Sequence, residues 1–135
     1  MNSQDNKILE TLKKQAKKDK NIIAVLLFGS FLNSKFYRDI DIAIILKNRP
    51  TNLEMSKKKL SYQKISSKLD IQIFQQLPLY IRSEILKKNK PLIIKNYGKT
   101  FDICVDTIKE FDFFEKYYND YLEHIKDGSK EKATV

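Results

Sequence analysis

The sequence predicts an α/β (α+β) domain: a small mixed β-sheet flanked by helices and followed by one long C-terminal helix. Three observations predict it. Apolar runs of strand length recur at Ile22 to Phe28, Asp39 to Leu46, Leu69 to Phe74 and Lys90 to Asn96. Between and around them, apolar residues fall at the three- and four-residue steps of a helix. Gly29, Pro50 and Pro78 punctuate the joints. A chain of 135 residues fits one ordinary domain and is short for two. We assign residues 1–127 to it and 128–135 to a short polar tail.

The first helix is expected from Gln4 to Lys18, with Ser3 as N-cap and Ile8, Leu9, Leu12 and Ala16 as its inward stripe. "IIAVLLF" then reads as a central strand, because a run apolar at every position suits burial on both faces. An irregular segment, Ser30 to Arg38, leads into the second strand, "DIDIAIIL". "KNRPTN" makes a turn and opens a lysine-rich helix through Lys68, expected to carry Leu53, Leu60 and Ile65 inward.

"LDIQIF" alternates, with Leu69, Ile71 and Ile73 on one face and Asp70, Gln72 and Phe74 on the other. Pro78 suits the first position of a helix running to about Lys88, and "KPLIIKN" gives a fourth strand. From Thr100 to Ile125, Phe101, Val105, Ile108, Phe111, Phe114, Tyr118, Leu122 and Ile125 form a stripe expected to be buried, with any exposed portion serving as an interface.

Composition narrows the function. The formal charge of +9 is almost entirely lysine, clustered at Lys13 to Lys20, Lys57 to Lys59 and Lys87 to Lys90. Without interleaved aromatics or zinc-finger spacing, it reads as solvated helix faces, and no nucleic-acid partner is required. Cys104 is the single cysteine, so no disulfide closes within the chain. No apolar stretch reaches membrane-span length and no signal-peptide block opens the chain, which predicts a cytoplasmic protein. His124 stands alone and is expected on the exposed side of the last helix.

Two carboxylates break the apolar pattern of the second strand. Asp39 and Asp41 lie two apart, so they project to the same side, roughly 6.5–7 Å apart along the backbone. Buried unpaired charge is costly, so something must compensate them. Converging carboxylates share a proton or hold a divalent cation, and an oxygen-only donor set suits Mg²⁺ or Mn²⁺. Asp70, on the third strand, is placed to join them, giving the acidic group that metal-assisted phosphoryl or nucleotidyl transfer requires. Gly29-Ser30, ending the first strand and separated from Asp39 by eight residues, offers close backbone approach and a hydroxyl to phosphate oxygens.

Gly29-Ser30, a short spacer, Asp39-x-Asp41 and the later strand residue Asp70 resemble the signature of the DNA polymerase β nucleotidyltransferase superfamily, and the small size resembles its minimal nucleotidyltransferase (MNT) branch. "LPLYIRSEILKKNKPLIIKN" is similar to that branch's segment after the third acidic residue. The resemblance implies the polymerase β-like fold, with Asp39, Asp41 and Asp70 as catalytic metal ligands and Gly29 and Ser30 on the triphosphate. It also implies transfer of AMP from ATP to a hydroxyl, and a HEPN-type toxin partner modified on a tyrosine by its antitoxin. Leu32, Asn33 and Ser34 stand where relatives often have a second glycine, and Arg38 stands where they often have serine; Arg38 is a candidate phosphate contact. Two other readings share the fold: a non-catalytic antitoxin or scaffold, and a small-molecule nucleotidyltransferase. Three retained carboxylates weigh against the first, and the lack of a further helical domain after Asn96 weighs against the second.

Overall fold

The computed structural model describes residues 3–32 and 37–133, with side chains described through residue 126. Four helices, α1 (Ser3–Lys18), α2 (Asn52–Gln63), α3 (Leu79–Lys87) and α4 (Tyr97–Ala133), surround four strands, β1 (Ile22–Phe28), β2 (Ile40–Leu46), β3 (Leu69–Ile73) and β4 (Lys90–Ile94). The sheet order is β3-β2-β1-β4. β1 pairs antiparallel with β2 and β4, and β2 pairs parallel with β3 through the α2 crossover, so the sheet is mixed as expected.

Both faces of the sheet are covered, which is why β1 is apolar throughout. Val25 and Leu27 of β1 and Ile40, Ile42 and Ile44 of β2 pack with Leu9, Leu12 and Ala16 of α1 and Met55 and Tyr62 of α2. On the opposite face, Ala24, Leu26, Ala43 and Ile45 meet Ile85 of α3 and Phe74, with Ile103 of α4 packed against them. Burying each large aliphatic side chain stabilises the fold by about 1.5–3 kcal/mol.

Helix boundaries follow local chemistry. The Thr51 hydroxyl caps α2 by accepting the Glu54 N–H at 3.2 Å. Ser3 is already helical rather than an N-cap, and Pro78 is the N-cap of α3 rather than its first helical residue. The C-terminal carbonyls of α1 are held from across the fold: the Lys95 ammonium donates to the Ala16 and Asp19 carbonyls at 2.9 and 2.6 Å.

Two expected faces are corrected. In α2, Leu53 and Leu60 are 65% and 62% exposed, while Met55 and Tyr62 enter the core. The Tyr62 hydroxyl donates to Asp19 at 3.1 Å, and Lys58 pairs with the same carboxylate at 2.7 Å, fixing the rotation of the helix. The stripe on α4 is likewise open: Phe101, Ile108, Phe114, Tyr118, Leu122 and Ile125 are between 44% and 67% exposed. The reason is length. α3 has 9 residues and α4 has 37, so at 1.5 Å per residue α4 outruns everything beside it. Only its first turns find a core, with Thr100 and Thr107 buried and Phe111 half-buried. Among the described residues, no helix is long and apolar enough to cross a membrane.

Replacing Ile42 by Ala should lower unfolding free energy by about 2–5 kcal/mol in urea melts, whereas Leu60→Ala should stay within about 0.5 kcal/mol. Equal losses would contradict the rotation of α2. Asp19 gives a pH test. Burial works to raise its pKa, but Lys58, the Asn21 N–H and Tyr62 together hold it below the usual 3.8. A depressed carboxylate contributes stability above its unfolded pKa and loses it as pH falls through the folded value. The stability gap between wild type and Asp19→Asn should therefore be widest near pH 6 and shrink below about pH 4.

Candidate active site

The register of three strands assembles the site. Phe28, the last residue of β1, lies opposite Asp41 of β2, and Asp41 lies opposite Asp70 of β3. Ile40, Ile42, Leu69 and Ile71 point into the core under α1 and α2, so strand alternation turns Asp41 and Asp70 to the other face. One residue after Phe28 the chain must turn sharply, and Gly29 does so with φ of +80°, the only left-handed residue among those described. A Cβ on Gly29 would lie 2.0 Å from Asp41 Oδ2 and 2.9 Å from its Cγ. The glycine is thus required twice, by conformation and by the carboxylate against it.

Asp41 and Asp70 sit side by side in register on neighbouring strands, close enough for the Asp70 carboxylate to act on Asp41. Burial first, then the charge and hydrogen bond of Asp70, then the charge of Asp39, push the Asp41 pKa up to about 6. The Gln72 side-chain amide, two residues along β3, donates to Asp70 Oδ1 at 3.0 Å, and the Lys59 ammonium donates to Gln72 Oε1 at 3.4 Å, so the amide that orients the Asp70 carboxylate is itself held. Asp39 is exposed at the mouth of β2 and joins the other two through its charge; among the described residues, no three acidic, histidine or cysteine side chains form a closed metal cluster. Nor does any lysine or arginine form an ion pair with Asp39, Asp41 or Asp70 among the described residues. Uncompensated carboxylates of this kind fit a hard divalent cation.

Ser30 follows in a single 3₁₀ turn, Gly29–Leu32, and is exposed beside the carboxylates. Arg38 is exposed immediately before Asp39. Asn33 and Ser34, two of the positions where the glycine is missing, lie outside the described residues.

A second polar cluster escaped the reading of the sequence. Asp5 of α1 is fully buried; it pairs with Lys68 at 2.7 Å and accepts a hydrogen bond from the Tyr37 hydroxyl. The Lys68 ammonium also lies 5.2 Å from the centre of the Tyr37 ring, and Phe31 packs edge-on against that ring at 4.7 Å. Burial opposes ionisation of Asp5, but Lys68 and Tyr37 more than offset it and hold its pKa below the ordinary value. Tyr37 and Lys68 each stand two residues before an acidic site residue, Asp39 and Asp70. The signal was present: Asp5 falls in helical step with Leu9, Leu12 and Ala16, the buried face of α1.

The family model for "Polymerase beta, Nucleotidyltransferase" matches residues 10–98. The chain belongs to the polymerase beta nucleotidyltransferase family. Among curated members, it is 31% identical over 109 residues to "Putative protein adenylyltransferase MJ1547" of Methanocaldococcus jannaschii, covering 79% of this chain and 78% of the relative. Solved structures share the fold. One is a chain of the tri-AMPylated Shewanella oneidensis HEPN toxin in complex with MNT antitoxin, with a TM-score of 0.62 at 17% identity over 89% of this chain and 93% of that one. Another is a toxin–antitoxin structure with AMP-PNP, with a TM-score of 0.65 at 15% identity over 88% and 96%. As a member of the polymerase beta nucleotidyltransferase family, the chain is a nucleotidyltransferase, and Gly29-Ser30, Asp39-x-Asp41 and Asp70 all fall within the matched residues.

Gly29→Ala should destabilise the protein by about 1–3 kcal/mol, from the strained backbone, and should also displace Asp41. Mg²⁺ should raise the melting temperature of wild type in a thermal-shift assay and lose that effect in the variant. An undiminished Mg²⁺ shift in Gly29→Ala would show that Asp41 does not depend on the glycine.

Proposed function

We propose that the chain transfers AMP from ATP to a tyrosine hydroxyl of a HEPN-type toxin and serves as its antitoxin. The observation that carries this reading is Asp41, pressed against Gly29, in register beside Asp70 and, among the described residues, in no ion pair with a lysine or arginine. The adenylyltransferase relative and the fold shared with MNT antitoxins support the donor and the partner. The exposed aromatic length of α4 supports a protein partner, since large apolar patches rimmed by polar residues mark interfaces.

In this reading Asp39 and Asp41 hold Mg²⁺ or Mn²⁺, with Asp70 completing the set. The bound ion supplies neutralisation of phosphate charge and a lowered pKa for the acceptor hydroxyl. Gly29, through its bare backbone, and Ser30, through its hydroxyl, hold the triphosphate, and Arg38 contacts it from the rim. Asp70 takes the proton from the acceptor oxygen as that oxygen bonds to the α-phosphorus. The bond from the α-phosphorus to its bridging oxygen breaks, and pyrophosphate leaves. Gln72 fixes the Asp70 carboxylate that receives the proton.

Incubation with α-labelled ATP, Mg²⁺ and the product of the adjacent gene should label that protein on tyrosine, and an adjacent gene that encodes no HEPN-type protein would overturn the antitoxin role. Asp39→Ala and Asp41→Ala should abolish the label. Asp70→Asn should lower transfer by about 10²–10⁴-fold while ATP still binds. Tight complex formation without any label would instead identify a binding antitoxin, and transfer to a free small molecule alone would identify the small-molecule enzyme.

A further inference from the structure

Asp41 lies inside the sheet, with β1 on one side and β3 on the other, whereas Asp70 lies on β3, the edge strand beside β2. Edge strands carry backbone groups with no strand to pair them, and segments held by fewer contacts open more readily. A carboxylate that takes a proton during catalysis has to be kept within about 0.5 Å of its productive place. Position 70 therefore calls for support from outside the sheet. Gln63, the last residue of α2, supplies it. Its side-chain amide N–H donates to the Leu69 carbonyl, and its amide oxygen accepts the Ile71 N–H at 3.1 Å. The Leu69 carbonyl belongs to the peptide group before Asp70 and the Ile71 N–H to the peptide group after it. One glutamine thus grips both peptide planes that meet at the Asp70 Cα, and with them the direction in which the carboxylate leaves the strand.

We propose that Gln63 is a positioning residue for nucleotidyl transfer, acting through Asp70; the proposal rests on the reading of Asp70 as the proton acceptor. Gln63 is itself fixed. Its amide nitrogen also donates to the Ser66 carbonyl at 3.2 Å, and its neighbour Tyr62 locks the rotation of α2 by donating to Asp19 at 3.1 Å. Lys59, one turn earlier on α2, holds the Gln72 amide that in turn holds Asp70 Oδ1. The crossover helix therefore governs Asp70 twice, through its backbone by Gln63 and through its carboxylate by Lys59 and Gln72. Gln75 provides an internal control. It bridges the N–H and carbonyl of Leu46 at 3.1 and 2.7 Å, at the end of β2 remote from Asp41, so it supports the sheet without reaching an acidic site residue.

Amide hydrogen exchange and transfer kinetics together test this. In Gln63→Met, which keeps the side-chain length and none of its hydrogen bonds, the Asp70 and Ile71 amides should lose protection by about tenfold or more while those of β1 keep theirs. Transfer from α-labelled ATP with Mg²⁺ to the product of the adjacent gene should fall in kcat by about 10–100-fold, with KM for ATP within about twofold. Gln63→Glu, which still accepts the Ile71 N–H but cannot donate to Leu69, should fall between that variant and wild type, and melting curves verify that both are folded. In the Asp70→Asn background Gln63→Met should cause no further loss, because its effect passes through that carboxylate. Gln75→Met should leave kcat unchanged. Undiminished protection at Asp70, full kcat in Gln63→Met, an equal drop in Gln75→Met, or additive losses in the double variant would each overturn the role of Gln63, and the reading of Asp70 would stand as long as Asp70→Asn alone impairs transfer. Unimpaired transfer by Asp70→Asn would overturn both.

Discussion

Asp41 occupies the space that any side chain at position 29 would need, and the rest of the site is arranged around that contact. Antiparallel pairing of β1 with β2 brings the glycine turn to Asp41, and parallel pairing of β2 with β3 brings Asp70 to its other side. A slip of one residue in either register would turn an acidic side chain into the core under α1 and α2. The isoleucines that alternate with the aspartates forbid that slip, so the hydrophobic core on one face sets the chemistry on the other. The elevated pKa of Asp41 comes first from burial and then from the neighbouring acidic groups, with no lysine or arginine paired to it among the described residues.

The buried cluster of Asp5, Lys68 and Tyr37 gives the site a second support. It ties α1 to the two segments that enter β2 and β3, each two residues ahead of a carboxylate. A buried ion pair is weak evidence of net stability, since desolvation opposes its Coulomb attraction, but losing one partner typically costs about 3–5 kcal/mol. Its contribution is better described as specificity of placement: with Asp5 fixed on α1, the approach to both acidic strands is fixed as well. Asp5 lies ahead of the residues matched by the family model, so this part of the support is written in a segment that the model does not cover.

Much of the architecture was legible because the strands announce themselves. Ile22 to Phe28 is apolar at every position, Leu69 to Ile73 alternates, and charges inside "DIDIAIIL" have no structural use. Helix rotation was less legible. In α2, Leu53 and Leu60 are seven apart and so are Met55 and Tyr62, so periodicity offers two faces, and the choice is made by the Tyr62 hydroxyl reaching Asp19, forty-three residues away in the chain. The α4 stripe was read correctly as a stripe and wrongly as buried, because spacing records which residues share a face and not whether anything lies against it. Asp5 was passed over because an acidic residue in the first turn of a helix is ordinarily explained by the helix dipole. Gln72 gave no signal beyond its place beside Asp70.

The outer side of β3 bears on how this molecule can meet others. The Gln63 side chain accepts the Ile71 N–H at 3.1 Å and donates to the Leu69 carbonyl, and Gln75 pairs in the same way with both backbone groups of Leu46 at 3.1 and 2.7 Å. Gln63 therefore stands in for a partner strand at the outer edge of β3, Gln75 does so for the end of β2 beyond β3, and at the opposite edge Pro91 removes one donor from β4. The sheet is poorly suited to recruit an extended peptide by strand addition. The exposed aromatic surface of α4, by contrast, is of the kind that suits helix-on-helix packing. The same arrangement leaves edge-to-edge self-association, the common hazard of small mixed sheets, with little backbone to grasp.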